Sequence, residues 1–218
     1  ELQIVNLTLK NNLELKKFFP NIQQEINFNN HSIKVDYEKK FLSINGQGQL
    51  SFQDKKDFID YNFLKKKKII DFRTNFKIDE NPIHIDFLNY IKDPNLKAEI
   101  ILKGSHTIDK KTIIDSFIYS EKKNKMKIDH IVLNKNLKLE KVKKIHLEYS
   151  DNDSRENDIK ILKKNEKNLY NIIGSKFNAN NLIENLLSDE SNDLKIFDKN
   201  FYFDIMIDQV FLDKEYTV

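Results

Sequence analysis

Cysteine is absent from the chain, and so is tryptophan. Without cysteine there are no disulfides, thiol nucleophiles, zinc ribbons or iron–sulfur clusters. Glycine is nearly missing too: there are 4 glycines and 3 prolines, roughly 3% together against about 12% in average usage. No Gly-rich phosphate cradle or collagen-like segment can be built from so few. No apolar run approaches the ~18 residues of a membrane-spanning helix. No charged-then-apolar leader follows Glu1, and the chain breaks off in mid-pattern at Val218. A piece of a longer chain is therefore expected. Charge of one sign is lacking as well, since 37 Lys+Arg against 34 Asp+Glu leaves only +3. That small excess excludes a strongly polyanion-seeking protein.

What is present is hydrophobic residue in quantity, 39% of the 218 residues, enough for a core. The basic residues are almost all lysine; arginine occurs only at Arg73 and Arg155. Abundant Asn, Ile, Lys and Phe with little Ala or Gly is the skew that an AT-rich genome imposes. Lysine richness by itself is therefore not a functional signal.

The dominant period is two. Leu2 and Ile4, then Leu7 and Leu9, alternate with polar residues, as do Ile33, Val35 and Tyr37. The pattern continues through Met126 and Ile128, Ile131 and Leu133, then Ile145, Leu147 and Tyr149, and ends on Phe201, Phe203, Ile205 and Ile207. Such alternation gives each strand one apolar and one polar face. The intervening polar turns are too short for crossover helices, so the chain reads as an antiparallel meander of some fifteen strands. A closed barrel, a sandwich or a curled trough would each cover the apolar faces. Scarce glycine weighs mildly against tight barrel corners.

Helical signals are few. Over about 178–188, Leu182, Ile183, Leu186 and Leu187 form one stripe, with Asn178 or Asn180 as N-cap. A second helix is expected over 84–91, where Ile83, Phe87 and Ile91 fit helical spacing as well as strand spacing. Residues 188–193 and 151–158 read as polar loops. No composition shift divides the chain, so 1–218 is expected to be one section.

Chemistry is hard to find. The five histidines (His31, His84, His106, His130, His146) stand at no metal-ligand spacing. Gly46-Gln47-Gly48 opens like a dinucleotide fingerprint, but position 51 is Ser and no helix follows. Glycines inside a strand mark a bulge or a close approach instead. Lys65–Lys68 would attract phosphate, yet it reads first as a solvated hairpin tip. The aromatics share their faces with Ile and Leu, which suits burial or an apolar groove better than nucleic acid. No catalytic signal, cofactor site or metal site is expected.

From Asn168 to Leu187 the chain reads Asn-Leu-Tyr-Asn-Ile-Ile-Gly-Ser-Lys-Phe-Asn-Ala-Asn-Asn-Leu-Ile-Glu-Asn-Leu-Leu. This resembles a recurring element of the AsmA-like envelope proteins: a strand ending in Gly, then a Lys-Phe-Asp-Ala-like segment opening a short helix, here with Asn178 in place of Asp. A charged loop and a strand like Phe201 to Asp208 follow, with Asp208-Gln-Val-Phe-Leu212 leading on to the next repeat. The segment Pro82 to Gly104, the strand pairs at 113–149, and Ile44-Asn-Gly46-Gln-Gly48 look alike too.

The resemblance implies a mainly β fold: an elongated antiparallel meander curled into an open trough, with one or two short helices. It also implies one section of a longer repeating groove, truncated at both ends, with strands of the next section after the helix. The full-length protein would sit in the periplasm of a Gram-negative cell, anchored in the inner membrane. Its implied role is to bind or conduct phospholipid acyl chains along the apolar groove towards the outer membrane, without enzymatic chemistry. The implied partners are phospholipids, neighbouring sections of the same chain, and a membrane met through an anchor outside this sequence, with no nucleic acid. Ile145, Leu147, Tyr149, Phe201, Phe203, Ile205 and Ile207 are the expected groove lining. Leu182, Ile183, Leu186 and Leu187 would form the helix that caps it. The rival reading is an envelope scaffold or docking sheet that carries no lipid. A third, a carbohydrate-active β-sandwich, needs a carboxylate pair in a cleft, and none stands out.

Overall fold

A computed structural model describes residues 2–11, 15–164, 168–187 and 202–212. It is mainly β. The strands are β1 (Leu2–Lys10), β2 (Glu25–Glu38), β3 (Phe41–Ser51), β4 (Asp57–Lys66), β5 (Ile69–Ile78), β6 (Ile83–Ile85) and β7 (Tyr90–Lys92). After these come β8 (Ala98–Thr107), β9 (Thr112–Glu121), β10 (Asn124–Leu133), β11 (Leu139–Ser150), β12 (Glu156–Lys163), β13 (Leu169–Asn178) and β14 (Tyr202–Phe211). One helix, α1 (Asn180–Leu187), lies between β13 and β14, and a 3-10 turn at Asp86–Leu88 lies between β6 and β7.

Twelve strands form a single open sheet in the order β1-β2-β3-β4-β5-β8-β9-β10-β11-β12-β13-β14. At about 4.8 Å per strand the sheet extends roughly 53 Å across its strands, rather than the span of fifteen. It does not close, and β1 and β14 are its edges. The accessible surface is 14447 Å², whereas a compact monomer of this mass exposes about 10,500 Å².

The pairing is antiparallel from β1 to β13, as short turns require. The last pair departs from the expected meander, because β14 runs parallel to β13. A parallel neighbour needs a long return connection, usually helical, and the chain between Asn178 and Tyr202 provides one that begins with α1.

The helix expected over 84–91 is not there. Asn89 adopts φ 49 and ends the 3-10 turn after three residues. β6 and β7 then pair as a small hairpin, Ile83 opposite Lys92. The helical stripe fails because it mixes environments: Ile83 is buried, while Phe87 and Ile91 are exposed.

Two rims follow from the topology. Every second turn lies at the same end of the strands. At one rim three connections are long and fold back over the inner face, namely residues 15–24, the β6–β7 hairpin and α1, while the turns at 52–56, 122–123 and 151–155 are short. Phe19, Ile83, Leu88, Tyr90 and Ala179 come from these connections and pack with Leu50, Phe52, Ile78, Tyr119, Leu147, Tyr149 and Phe177 of the sheet. At the other rim the described turns, at 39–40, 67–68, 108–111 and 134–138, are short, and nothing among the described residues folds back.

With so little glycine, the tight turns use other residues at positive φ. Lys39 (φ 40) and Lys40 (φ 80) form the two-residue β2–β3 turn, flanked by the pair Glu38 and Phe41. Both central residues at φ > 0 is the geometry that Asn-Gly fills without strain, and a non-glycine left-handed residue costs about 1–2 kcal/mol. Lys39→Asn with Lys40→Gly is therefore expected to raise stability by about 1–2 kcal/mol, read as a higher urea midpoint at unchanged slope. An unchanged or lowered midpoint would contradict a left-handed turn here.

Candidate functional site

The inner face is built from continuous cross-strand rows. One row crosses all twelve strands: Leu2, Ile33, Gly46, Tyr61, Thr74, Leu102, Phe117, Ile128, Ile145, Ile161, Ile172 and Ile205 are successive partners. Nearer the open rim a second row runs Val35, Ile44, Phe63, Phe72, Gly104, Ile114, Ile131 and Val142. Facing partners share a side of the sheet, so each row is a ribbon of apolar surface. The outer face is more polar, with Asn62 donating to Asn45, Asn29 to Asn6 and His146 meeting Asp158 at 3.3 Å, but it also carries the apolar pairs Ile101–Ile118 and Ile113–Val132.

Two glycines flatten this floor. A Cβ at Gly46 would collide with the Tyr61 ring, and one at Gly48 with the His31 imidazole. The close approach is thus by side chains, in a strand that carries no fingerprint helix. His31 fills the notch beside the bulge at Asn30 (φ 52), within 2.9 Å of the Gln49 carbonyl through Nε2.

The register places Ile145, Leu147 and Tyr149 on the same side as Phe203, Ile205 and Ile207. Ile145 reaches Ile205 through Ile161 and Ile172, and Leu147 reaches Ile207 through Ile159 and Gly174. Phe203 packs against Tyr170, ring centroids 6.2 Å apart. Their environments differ. Tyr149 is 3% exposed and Leu147 8%, whereas Phe203 is 53% and Ile205 62% exposed. Leu147 and Tyr149 reach under the cover, Ile145 and Ile207 are half-buried against the core, and Phe203 and Ile205 lie in the open. Phe201 lies outside the described residues, as do 188–193.

The helix stripe is split. Leu182 packs against the core, and Ile183 is exposed; the side chains of Leu186 and Leu187 lie outside the described residues. Asn178 is the N-terminal capping side chain, its Oδ1 accepting from Asn180 N at 3.3 Å. Asn181 donates to the Asp86 carbonyl at 2.9 Å and ties α1 to the 3-10 turn. Leu182→Asp buries an unpaired charge and is expected to destabilise the fold by several kcal/mol. Ile183→Asp should cost less than about 1 kcal/mol. Equal urea midpoints for the two variants would mean that α1 does not pack as described.

Under the cover, a belt of buried polar residues absorbs the strand ends; composition and period gave no sign of it. Tyr90 Oη lies 2.6 Å from Tyr119 Oη and donates to Glu121 at 2.7 Å; Asn124 donates to the same Glu121 oxygen at 3.0 Å. Tyr149 donates to the Leu88 carbonyl at 3.1 Å. Lys92, fully buried, donates to the Asn81 carbonyl at 2.7 Å, and Asn81 donates to Asp57 at 2.6 Å. Burial lowers the Lys92 pKa against the pull of Asp57, Asp79, Glu121 and Glu80. Burial raises that of Asp57, opposed by hydrogen bonds from Asn81, Glu80 and Asp79. At the next tip Asn178 donates to Asp151 at 2.7 Å, and its backbone N–H to Asn157 at 2.7 Å. Each partner is spent inside the belt, which makes it a fastening for the cover. Among the described residues no group of three or more His, Asp or Glu could hold a metal ion.

The belt has an alkaline signature. Burial, first of all, pushes the Tyr90, Tyr119 and Tyr149 hydroxyls far above the ordinary tyrosine range. A raised folded pKa means that the unfolded chain loses these protons first. The stability they contribute is whole below pH ~10 and is lost as pH rises beyond it. Phenolate absorbance from Tyr90, Tyr119 and Tyr149 should therefore appear only as the fold is lost. All tyrosines titrating together, with native circular dichroism retained, would refute the belt.

Compared with known proteins, the chain matches no protein-family model, no curated protein and no solved structure.

Proposed function

We propose that the chain is a section of a lipid-conducting protein of the AsmA-like kind, and that acyl chains lie along the inner face of its sheet. The observation that carries this reading is the row from Leu2 to Ile205, an apolar line crossing every strand of a sheet that does not close. A soluble sheet ordinarily hides such a face under a second layer. Here the cover reaches only one rim, and Phe203 and Ile205 stay more than half exposed. Each CH₂ taken from water contributes about 0.8 kcal/mol. Because that term is non-directional, a tail shifting from row to row breaks no specific bond. A catalyst has no part in this mechanism. The periplasmic setting and the inner-membrane anchor of the full-length protein rest on the sequence resemblance alone.

A scaffold role has one observation in its favour. Tyr202 and Met206, on the outer face of β14, are each 63% exposed, and a lipid in the trough would not cover them. A protein lying along that edge would.

The two readings separate on one residue. Ile205 is already largely in water, so Ile205→Lys should leave the thermal midpoint within a few degrees. On the lipid reading, phospholipid co-purifying with the chain, counted by mass spectrometry after extraction, falls several-fold. Unchanged lipid at a normal midpoint, or no lipid in the parent chain, defeats the lipid reading in favour of the scaffold.

A further inference from the structure

The two rims differ in charge as well as in cover. Take each turn with the two strand residues on either side. At the open rim these tips are 37–42, 65–70, 106–113, 132–140 and 162–170. Their described residues hold twelve lysines (39, 40, 65–68, 110, 111, 135, 138, 163, 164) against three acids: Glu38, Asp109 and Glu140. At the covered rim the tips are 9–26, 50–58, 77–99, 120–125 and 149–157. There, twelve basic residues stand against twelve acidic ones among the described residues. A genome-wide lysine bias acts on both rims alike, so it does not produce a net +9 at one and zero at the other.

The register turns this into a line. Neighbouring open-rim tips are two strands, about 10 Å, apart, close to the Debye length of about 8 Å in physiological salt. Their fields therefore merge into a positive strip, and adjacent tips touch, with Ile108 N donating to the Lys68 carbonyl at 2.9 Å. Directly below runs the apolar row from Val35 to Val142. A positive strip over an apolar ribbon is complementary to an anionic head on a hydrocarbon tail.

From this juxtaposition we infer that the open rim is a headgroup track that selects phospholipids of net negative charge, their phosphates along the lysine tips and their tails on the rows beneath. The inference rests on the lipid reading above and adds the class of lipid. The Lys65–Lys68 tip, with all four side chains exposed, is the strongest point of the track. Lys163 and Lys164 contribute less, since Lys164 is bound to Asp204 at 2.7 Å.

The test uses the delipidated chain, incubated with vesicles of phosphatidylglycerol or of phosphatidylcholine bearing the same acyl chains. The chain is re-isolated and its lipid counted. The parent chain should load about ten-fold more of the anionic lipid at low salt, with the difference shrinking at high salt. Lys65→Gln, Lys66→Gln, Lys67→Gln and Lys68→Gln together should remove most of that preference, with phosphatidylglycerol loading falling several-fold further than phosphatidylcholine loading. The same four-lysine change at the covered rim, at Lys55, Lys56, Lys122 and Lys123, should keep the preference. All eight side chains are exposed, so unchanged thermal midpoints are the control for folding.

Equal loading of the two lipids overturns the inference and leaves the trough standing. So does a preference that survives loss of Lys65–Lys68. Loading of neither lipid sinks the trough itself. Anionic vesicles bound through the lysines with no lipid extracted would make the rim a membrane-surface contact, which also overturns the track. Displacement of phosphatidylglycerol by inorganic phosphate, beyond that by chloride of equal ionic strength, would mark a site for soluble phosphate and overturn it likewise.

Discussion

A sheet that is apolar on one side and never closes has to find its cover elsewhere, and the rest of this molecule follows from that constraint. A barrel would seal the face with its own strands, and a sandwich with a second sheet. Here the material comes from three long connections at one rim. Phe19, Leu88 and Tyr90 reach over the strand ends, and the sheet residues beneath them (Ile78, Tyr119, Tyr149) are deeply buried. Away from that rim burial fades row by row. The gradient runs along the strands in the middle of the sheet, where β5 ends sealed at Ile78 and β11 at Tyr149, whereas the edge strand β1 is exposed along nearly its whole length.

Covering strand ends with connections brings backbone polar groups into the core, and each unpaired one would cost about 1–3 kcal/mol. The Tyr90–Tyr119–Glu121–Asn124 network and the Lys92–Asn81–Asp57 chain answer that cost. Buried ions are weak evidence of added stability, because desolvation offsets most of their attraction. Their use here is positional: Lys92, on a hairpin that no sheet ladder anchors, is tied to the Asn81 carbonyl of the segment leading into it. Tyr149 does the same for the 3-10 turn through Leu88.

Much of the sheet was legible because its period is unbroken where the strands are regular and slips where they are not. The sequence shifts phase between Ile4 and Leu7, and β2 opposite has its bulge at Asn30 (φ 52). It shifts again between Ile128 and Ile131, around His130 at φ 55. In both places the slip keeps the apolar residues on one face through the irregularity. The short helix was legible from its apolar spacing and from Asn178, although of the expected stripe Leu182 packs on the core and Ile183 is exposed. The hairpin at 83–92 was not: Ile83, Phe87 and Ile91 are spaced for a helix by coincidence, and the decisive residue is Asn89 in the left-handed region. The parallel β14 was hidden too, since a strand's own pattern carries no direction. Nor did the polar belt show, because Lys92, Asp57 and Asn81 stand apart from one another in sequence and read as surface.

The lysines illustrate a different limit. Judged as a composition they are genome drift, and judged as a run of four at Lys65–Lys68 they are a solvated tip. Neither judgement is wrong at its own level, since each tip alone is an ordinary turn. Only the meander's alternation decides which tips share an end, and it gathers the basic ones where the apolar face is uncovered and the balanced ones where it is sealed. Folding does not require that partition: lysines at the covered rim would be solvated just as well, as Lys55 and Lys122 are. A sheet under selection for stability alone has no reason to keep charge balance at one rim and abandon it at the other. The same alternation that leaves the inner face half open sets the charge beside the opening, and a ligand meeting one feature there meets both.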